Sequence, residues 1–284
     1  MTSPLLILAY PAAALVAYVG FRAKALSRSG AVAAMLTGGT ILGFGGLPWA
    51  LLLVFFFASS SLLSFFKHDD SHKVEAARTF EKGGRRDAAQ VIANGGVAAL
   101  LALLSRFVPA TMSVALLYAF TASLAAATAD TWATELGTLS KTAPRLITTG
   151  RRVAAGTSGG VTWLGSAATA LGALALGTVA AALWWTEQSA PQNTLNTGDP
   201  LALLMAGLIG GIIGSAADSI LGATVQASYF CDVCRKPTES RTHHCGTATT
   251  LVRGHAWVTN DLVNGAATLI GALVGMLVWL IAGS

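Results

Sequence analysis

The sequence predicts an all-α fold, a polytopic membrane helix bundle of about eight transmembrane helices with both termini on the non-cytoplasmic side. Three observations predict it. Only 11% of the 284 residues are charged, against about 25% in a water-soluble domain, while 54% are hydrophobic and the mean hydropathy is +0.62. Apolar stretches approaching the 20 or so residues that span a bilayer recur along the whole chain. Finally, all but one of the 18 Lys and Arg residues fall in alternate loops, which leaves only Arg106 for the others. These features exclude an ordinary cytosolic enzyme. The net charge of +5 is the residue of topology, and no nucleic-acid partner is expected.

The first segment, residues 4–21, has no basic residue before it and reads as a retained helix rather than a cleaved signal. Segments 31–47 and 48–66 are divided only by the Gly45–Gly46–Leu47–Pro48 turn signal. The fourth, 89–105, follows a loop with Lys67, Lys73, Arg78, Lys82, Arg85 and Arg86; the fifth, 110–129, precedes Lys141, Arg145, Arg151 and Arg152. Segments 160–185, 201–226 and 257–281 complete the set, and residues 227–256 form a Cys/His loop before the last. The basic loops are placed in the cytoplasm, and residues 1–284 are expected to make one integral membrane domain. Gly207/Gly211, Gly210/Gly214 and Gly271/Gly275 have the small-xxx-small spacing of closely packed helices. A weak internal echo pairs Ala129–Asp130–Thr131 with Ala217–Asp218–Ser219, and Asn94–Gly95 with Asn264–Gly265.

Ionisable groups at membrane depth cost roughly 2.5–3.5 kcal/mol each on insertion scales. Asp130, Glu135, Asp218, Asp261, Asn94, Asn260 and Asn264 nevertheless all fall at the cytoplasmic ends of their segments. Carboxylates and amides gathered at one level suit a hard cation, and Asp130, Asp218 and Asp261 are the candidate Mg2+ ligands. Helix capping competes for Asp261, and a plain loop position for Glu135. Gly156–Thr157–Ser158–Gly159–Gly160 leads into the sixth segment, where hydroxyls and backbone N–H groups at a helix start can meet an anion. It is not a Walker loop, since no lysine follows. Arg85, Arg86, Lys24, Ser27 and Arg28 lie at the same level and are candidate hydrogen-bond donors to a phosphate. Cys231, Cys234, His244 and Cys245 supply four ligands for a structural Zn2+ that would fold a loop without a core.

Several strings then occur in a specific order: Ser27–Arg28–Ser29–Gly30; Gly84–Arg85–Arg86–Asp87 running to Asn94; Asp130–Thr131–Trp132–Ala133–Thr134–Glu135–Leu136–Gly137; Gly156–Thr157–Ser158–Gly159–Gly160; Ala217–Asp218–Ser219–Ile220–Leu221–Gly222–Ala223; and Asn260–Asp261–Leu262–Val263–Asn264. In this the chain resembles, over almost its whole length, the transmembrane protein 19 family, whose plant member is phytyl-phosphate kinase. The resemblance implies transfer of a nucleotide's terminal phosphate, with CTP the expected donor, to an isoprenyl monophosphate of phytyl type, giving the diphosphate. It implies Mg2+, a nucleoside triphosphate and a lipid monophosphate as cofactor and partners, with membrane lipids around the chain. The site would be at the cytoplasmic face, which in a bacterium belongs to the plasma membrane. Asp130 and Asp218 are then the metal-binding catalytic acids, Glu135 the general base where one is needed, and Arg85, Arg86, Asn94, Gly156, Thr157, Ser158, Gly159 and Asn264 the phosphate and nucleotide site. A cytidylyltransferase acting on a lipid phosphate needs the same groups. A transporter or lipid flippase is the alternative from another class, favoured by the Gly-rich helices and the echo, and a metal-stabilised scaffold is a third.

Overall fold

A computed structural model describes residues 4–65, 85–188 and 199–282. Eight helices dominate these residues: α1 (Pro4–Arg22), α2 (Arg28–Thr40, prolonged by a π-helical turn at Ile41–Gly45), α3 (Leu47–Phe65), α4 (Ala88–Ser105), α5 (Ala110–Gly137), α6 (Trp163–Gln188), α7 (Pro200–Thr224) and α8 (Asn260–Ala282). Each falls on one apolar segment of the sequence. The six helices α3 to α8 are long and apolar enough to cross a membrane, whereas α1 and α2 are shorter in their apolar parts. The expected basic residues Lys67, Lys73, Arg78 and Lys82 lie outside the described residues.

The boundaries depart from expectation for local reasons. α2 starts three residues early because Ser27 caps it, its Oγ accepting the Gly30 N–H at 3.1 Å. Asp87 and Gln90 form a reciprocal capping box at the start of α4. Gly46, at φ +87°, ends the π turn beside Pro48 in the left-handed region that a side chain rarely adopts. α5 runs eight residues beyond its expected end, where Gly165 and Gly172 of α6 let that helix approach the Ala133 carbonyl and Ala129.

Helix α6 begins at Trp163, later than expected. Gly160–Val161 forms a short strand, β2, paired antiparallel with β1 (Arg145–Leu146), and Thr162 Oγ1 then accepts the Gly165 N–H at 3.0 Å. The 227–256 loop also holds strands. Ser228–Cys231 (β3), Lys236–Thr238 (β4) and Thr250–Arg253 (β5) make an antiparallel sheet in the order β4-β3-β5.

The core is built around α5, in which every residue from Val114 to Ala129 is buried. Its neighbours approach through the predicted small-residue faces. A Cβ on Gly210 would stand 2.6 Å from Ala122 Cβ, and one on Gly207 2.6 Å from Gly177 Cα, so these seams close at backbone distance. Trp163 and Trp257, 90% and 71% exposed, sit where α6 and α8 begin; Trp185, 63% exposed, lies near the other end of α6. At 1.5 Å per residue, Trp163 and Trp185 are about 33 Å apart, close to the thickness of a bilayer core, as interfacial aromatic belts require.

Candidate functional site at the interfacial end of the bundle

Helix register explains why acids meet here. Gly210 packs on Ala122 and the Gly271 carbonyl; one turn on, Gly214 packs on Ala126 and the Ala267 carbonyl. The next step of four residues brings Asp130 of α5, Asp218 of α7 and Val263–Asn264 of α8 into one layer. Two layers of alanine and glycine are thus followed by a layer of carboxylates. Ser215 of α7 hydrogen-bonds Asp130, and Asp218 feels the charges of Asp130 and of Glu239. Asp218 Oδ2 is buried with no hydrogen-bond partner among the described residues. A buried, unsatisfied carboxylate oxygen beside a second acid is the donor set a hard divalent cation takes, so the residues present fit Mg2+. Asp261 is half-buried in the first turn of α8, just ahead of Val263–Asn264.

A polar knot lies against the end of α7. Ser158 Oγ donates a very short hydrogen bond to Glu239 Oε1, and Gln226 Nε2 donates to both, at 3.1 Å to Ser158 and 2.8 Å to Glu239. Arg253 Nη2 donates to the Gly222 carbonyl at 2.9 Å and the Ser158 carbonyl at 3.3 Å, placing a cation where the helix dipole is negative. Burial lowers the Arg253 guanidinium from its usual value, and Glu239 acts against that shift. Gly159, at φ +79°, lies so close to α7 that a Cβ would stand 2.6 Å from Ala223 N. The 156–160 loop is therefore fixed by side chains and by α7. It does not open α6 as the sequence suggested, because β2 and the Thr162 cap intervene. Gly156 is the turn before it at φ +83°, and Thr157 spends its hydroxyl on the Ala154 carbonyl at 2.8 Å. A small polar cavity of about 20 Å³ separates Gln226 and Glu239 from Asn260.

Arg86 anchors a second polar group. Its Nη1 donates to Ser61 Oγ at 2.8 Å, its guanidinium carbon lies 5.5 Å from the Phe57 ring centre, and Glu135 faces it electrostatically. Burial lowers the guanidinium from its usual value, with Glu135 opposing. Glu135 Oε1 also accepts from Ser64 Oγ at 2.9 Å, so this acid ties α5 to α3 and orients Arg86. Arg86, Gln90 and Asn94 line the polar margin of an apolar groove of about 220 Å³ between α1, α2, α3 and α4, walled by Val16, Ala34, Gly38, Leu53 and Phe57 among others. Ser27 is occupied as the α2 cap, and Lys24, Arg28 and Arg85 are exposed.

The Cys/His loop brings together Cys231, Cys234, His243 and Cys245, whose ligand atoms all lie within 4.8 Å of one another. His243, and not His244, the expected fourth ligand, is the imidazole that this group contains. The His243 side chain is buried with Nδ1 3.2 Å from Cys245 Sγ, while His244 is exposed, its ring tilted by 48° against His243 at 3.8 Å between ring centres. Hydrogen bonds to Thr247 and His243 push the Cys245 thiol down to about 5, and the bond to Cys245 pushes Cys234 up to about 11.

Sequence reading missed Glu239, Arg253 and Ser215. Glu239 and Arg253 belong to no spaced motif; only the pairing of β3 with β4 and β5 brings them to the end of α7. Ser215 had a signal, since it lies three residues before Asp218 on the same face.

No solved structure matches the chain. It is 34% identical over 247 residues to Protein PGR of Arabidopsis thaliana, covering 81% of this chain and 82% of that protein. It is 30% identical over 258 residues to an uncharacterised membrane protein of Methanocaldococcus jannaschii, covering 91% of this chain and 87% of the other. Residues 11–272 match the family described as integral membrane protein DUF92, so a chain with six helices of membrane-spanning length belongs to this multi-pass family, the transmembrane protein 19 family.

Proposed function

We propose that the protein is an isoprenyl monophosphate kinase that transfers the terminal phosphate of a nucleoside triphosphate, CTP foremost, to a lipid monophosphate of phytyl type at the cytoplasmic membrane face. The observation that carries this reading is the layer formed by Asp130 and Asp218, with the unsatisfied Asp218 Oδ2 in it. The apolar groove that ends at Arg86, Gln90 and Asn94 supports a substrate with a hydrocarbon tail and an anionic head. Family membership supports the membrane setting.

In the proposed reaction an oxygen of the lipid phosphate attacks the γ-phosphorus, the bond from that phosphorus to the β-bridging oxygen breaks, and the nucleoside diphosphate leaves. Mg2+ held by Asp130 and Asp218, with Asp261 nearby, would neutralise charge on the phosphate oxygens. Arg86 holds the lipid phosphate as a fixed fork, and Glu135 keeps that fork aimed. Asn94 and Asn264 orient the phosphates from α4 and α8, and the Gly156–Gly160 loop borders the nucleotide. The acceptor is already an anion, so Glu135 serves as a positioning group rather than a base.

The test supplies purified protein in lipid nanodiscs with phytyl or geranylgeranyl monophosphate and γ-labelled CTP, ATP or GTP, and in a separate arm α-labelled CTP. Label in a lipid diphosphate supports the kinase. Label transferred from the α-position of CTP identifies a cytidylyltransferase. Unlabelled lipid in every combination, with Asp130→Ala indistinguishable from the parent, overturns the reading in favour of a transporter or flippase.

A further inference from the structure

We propose that Cys231, Cys234, His243 and Cys245 bind one Zn2+, and that this ion staples the β3–β5 sheet whose Glu239 and Arg253 hold the 156–160 loop against α7. The four ligands come from two tight turns. Cys231 ends β3, and Cys234 follows in a turn that Arg235 closes at φ +51°, with the Cys234 N–H 3.5 Å from Cys231 Sγ. His243 and Cys245 sit in a second turn, closed by His243 N–H to the Thr247 carbonyl at 2.9 Å and by Gly246 N–H to the His243 carbonyl at 2.8 Å.

The spacing fits a tetrahedral ion. Zinc–sulfur bonds of about 2.3 Å place two thiolates on a tetrahedron about 3.8 Å apart. Cys231 and Cys245 sulfurs are 3.7 Å apart, far beyond a disulfide bond, and all three cysteines are free. Three sulfurs and one imidazole are the ligand types of a closed structural zinc site, and no position is left for a substrate. The backbone donor to Cys231 is the kind of outer contact that supports a thiolate ligand.

The sheet needs such a link. Among its described residues few side chains are buried, chiefly Tyr229, Cys231, Thr238 and His243, too few for an independent core. Yet β4 leads into Glu239, which accepts from Ser158 and Gln226, and β5 ends in Arg253, which donates to Gly222 and Ser158. The ion joins β3 to the turn beyond β4 and so fixes the part of the chain that carries Glu239. This goes beyond the transfer reaction and is read out without it.

The experiment is metal analysis of the full-length protein purified in detergent without added metal or chelator. One zinc per chain is expected; no metal, or iron in its place, overturns the proposal. His243→Ala is expected to lose the zinc and His244→Ala to keep it, and the reverse pattern overturns the ligand assignment. Should His243→Ala or Cys231→Ser/Cys234→Ser fail to fold, the unaltered protein loaded with Co2+ decides: thiolate-to-cobalt charge transfer with intense tetrahedral d–d bands supports the site, and their absence overturns it. For the staple, chelated protein is expected to gain trypsin cleavage after Arg235 or Arg241, both exposed. An unchanged digest after complete zinc removal overturns that part.

Discussion

Ser158 and Glu239, 81 residues apart in the chain, share a hydrogen bond in which the Ser158 hydroxyl donates and the Glu239 carboxylate accepts, with the buried Gln226 amide donating to the same oxygen. One carboxylate oxygen thus joins the 156–160 loop, the end of α7 and the sheet. Glu239→Gln keeps an acceptor oxygen for both donors, whereas Glu239→Ala leaves Gln226, 2% exposed, without it. Gln226 Nε2 then keeps only its bond to Ser158 Oγ, and a buried N–H that has lost its acceptor costs about 1–3 kcal/mol. Thermal unfolding in detergent is expected to show Glu239→Ala clearly below the parent and Glu239→Gln near it. Equal midpoints for the two variants would sink the idea that this oxygen is the joint.

The two acids of the α5–α7 layer are expected to act together. Asp130→Asn and Asp218→Asn preserve size and remove charge, and each should reduce lipid diphosphate formation by about 100- to 1000-fold, the scale of losing one charge-stabilising group at a reacting phosphate. The double variant should lose little more than either single one, because groups that act as a unit are not additive. Rates are to be measured at saturating nucleotide. Independent, multiplying losses would argue that the carboxylates do not serve one ion.

Gly159 and Gly150 separate two kinds of glycine. Both have φ in the left-handed region, +79° and +68°, but a Cβ on Gly150 meets nothing within 4 Å, while one on Gly159 meets Ala223 and the Ser219 carbonyl. Gly150→Ala should cost only the backbone term, about 1–2 kcal/mol. Gly159→Ala adds an overpacking term of about 1–3 kcal/mol and should also lower activity by moving the loop off α7. A denaturation midpoint for Gly159→Ala no lower than for Gly150→Ala would contradict the close approach.

Much of this was legible in residue patterns, for reasons particular residues show. Hydropathy located every helix among the described residues, because burial in lipid demands apolar runs whatever the partner. The Gly210, Gly214 and Gly271 spacing announced the seams, and these seams carry the register that brings Asp130 to Asp218. Helix ends were less legible. Asp130 to Gly137 looks too polar for a span, yet α5 continues through it because α6 packs alongside through Gly165. The 156–160 loop was misread as a helix start, since nothing in Gly160–Val161 betrays a two-residue strand whose partner is Arg145–Leu146. His243 and His244 are equivalent in composition; only the backbone turn turns one inward. Glu239 was invisible because its partners are set by strand pairing across the Cys/His loop.

The groove between α1 and α4 makes the last prediction. Ala34 and Gly38 lie one turn apart on α2 and both line it, with Val16 of α1 and Leu53 of α3 opposite, while Arg86 and Asn94 mark its polar margin. A tail lying there is limited by the wall rather than by any polar contact, so Ala34→Phe should shorten the usable chain without touching the phosphate site. With a 20-carbon lipid monophosphate the KM is expected to rise about 10-fold or more, since losing burial of even two methylenes is worth about 1.6 kcal/mol. A 10-carbon substrate should keep its KM, and kcat should hold for both. Arg86→Lys makes the converse test: a point charge replaces the fork, so the KM should rise for short and long substrates alike. Were Ala34→Phe to weaken both chain lengths equally, the groove would be a packing defect of the short helices and the tail would lie elsewhere.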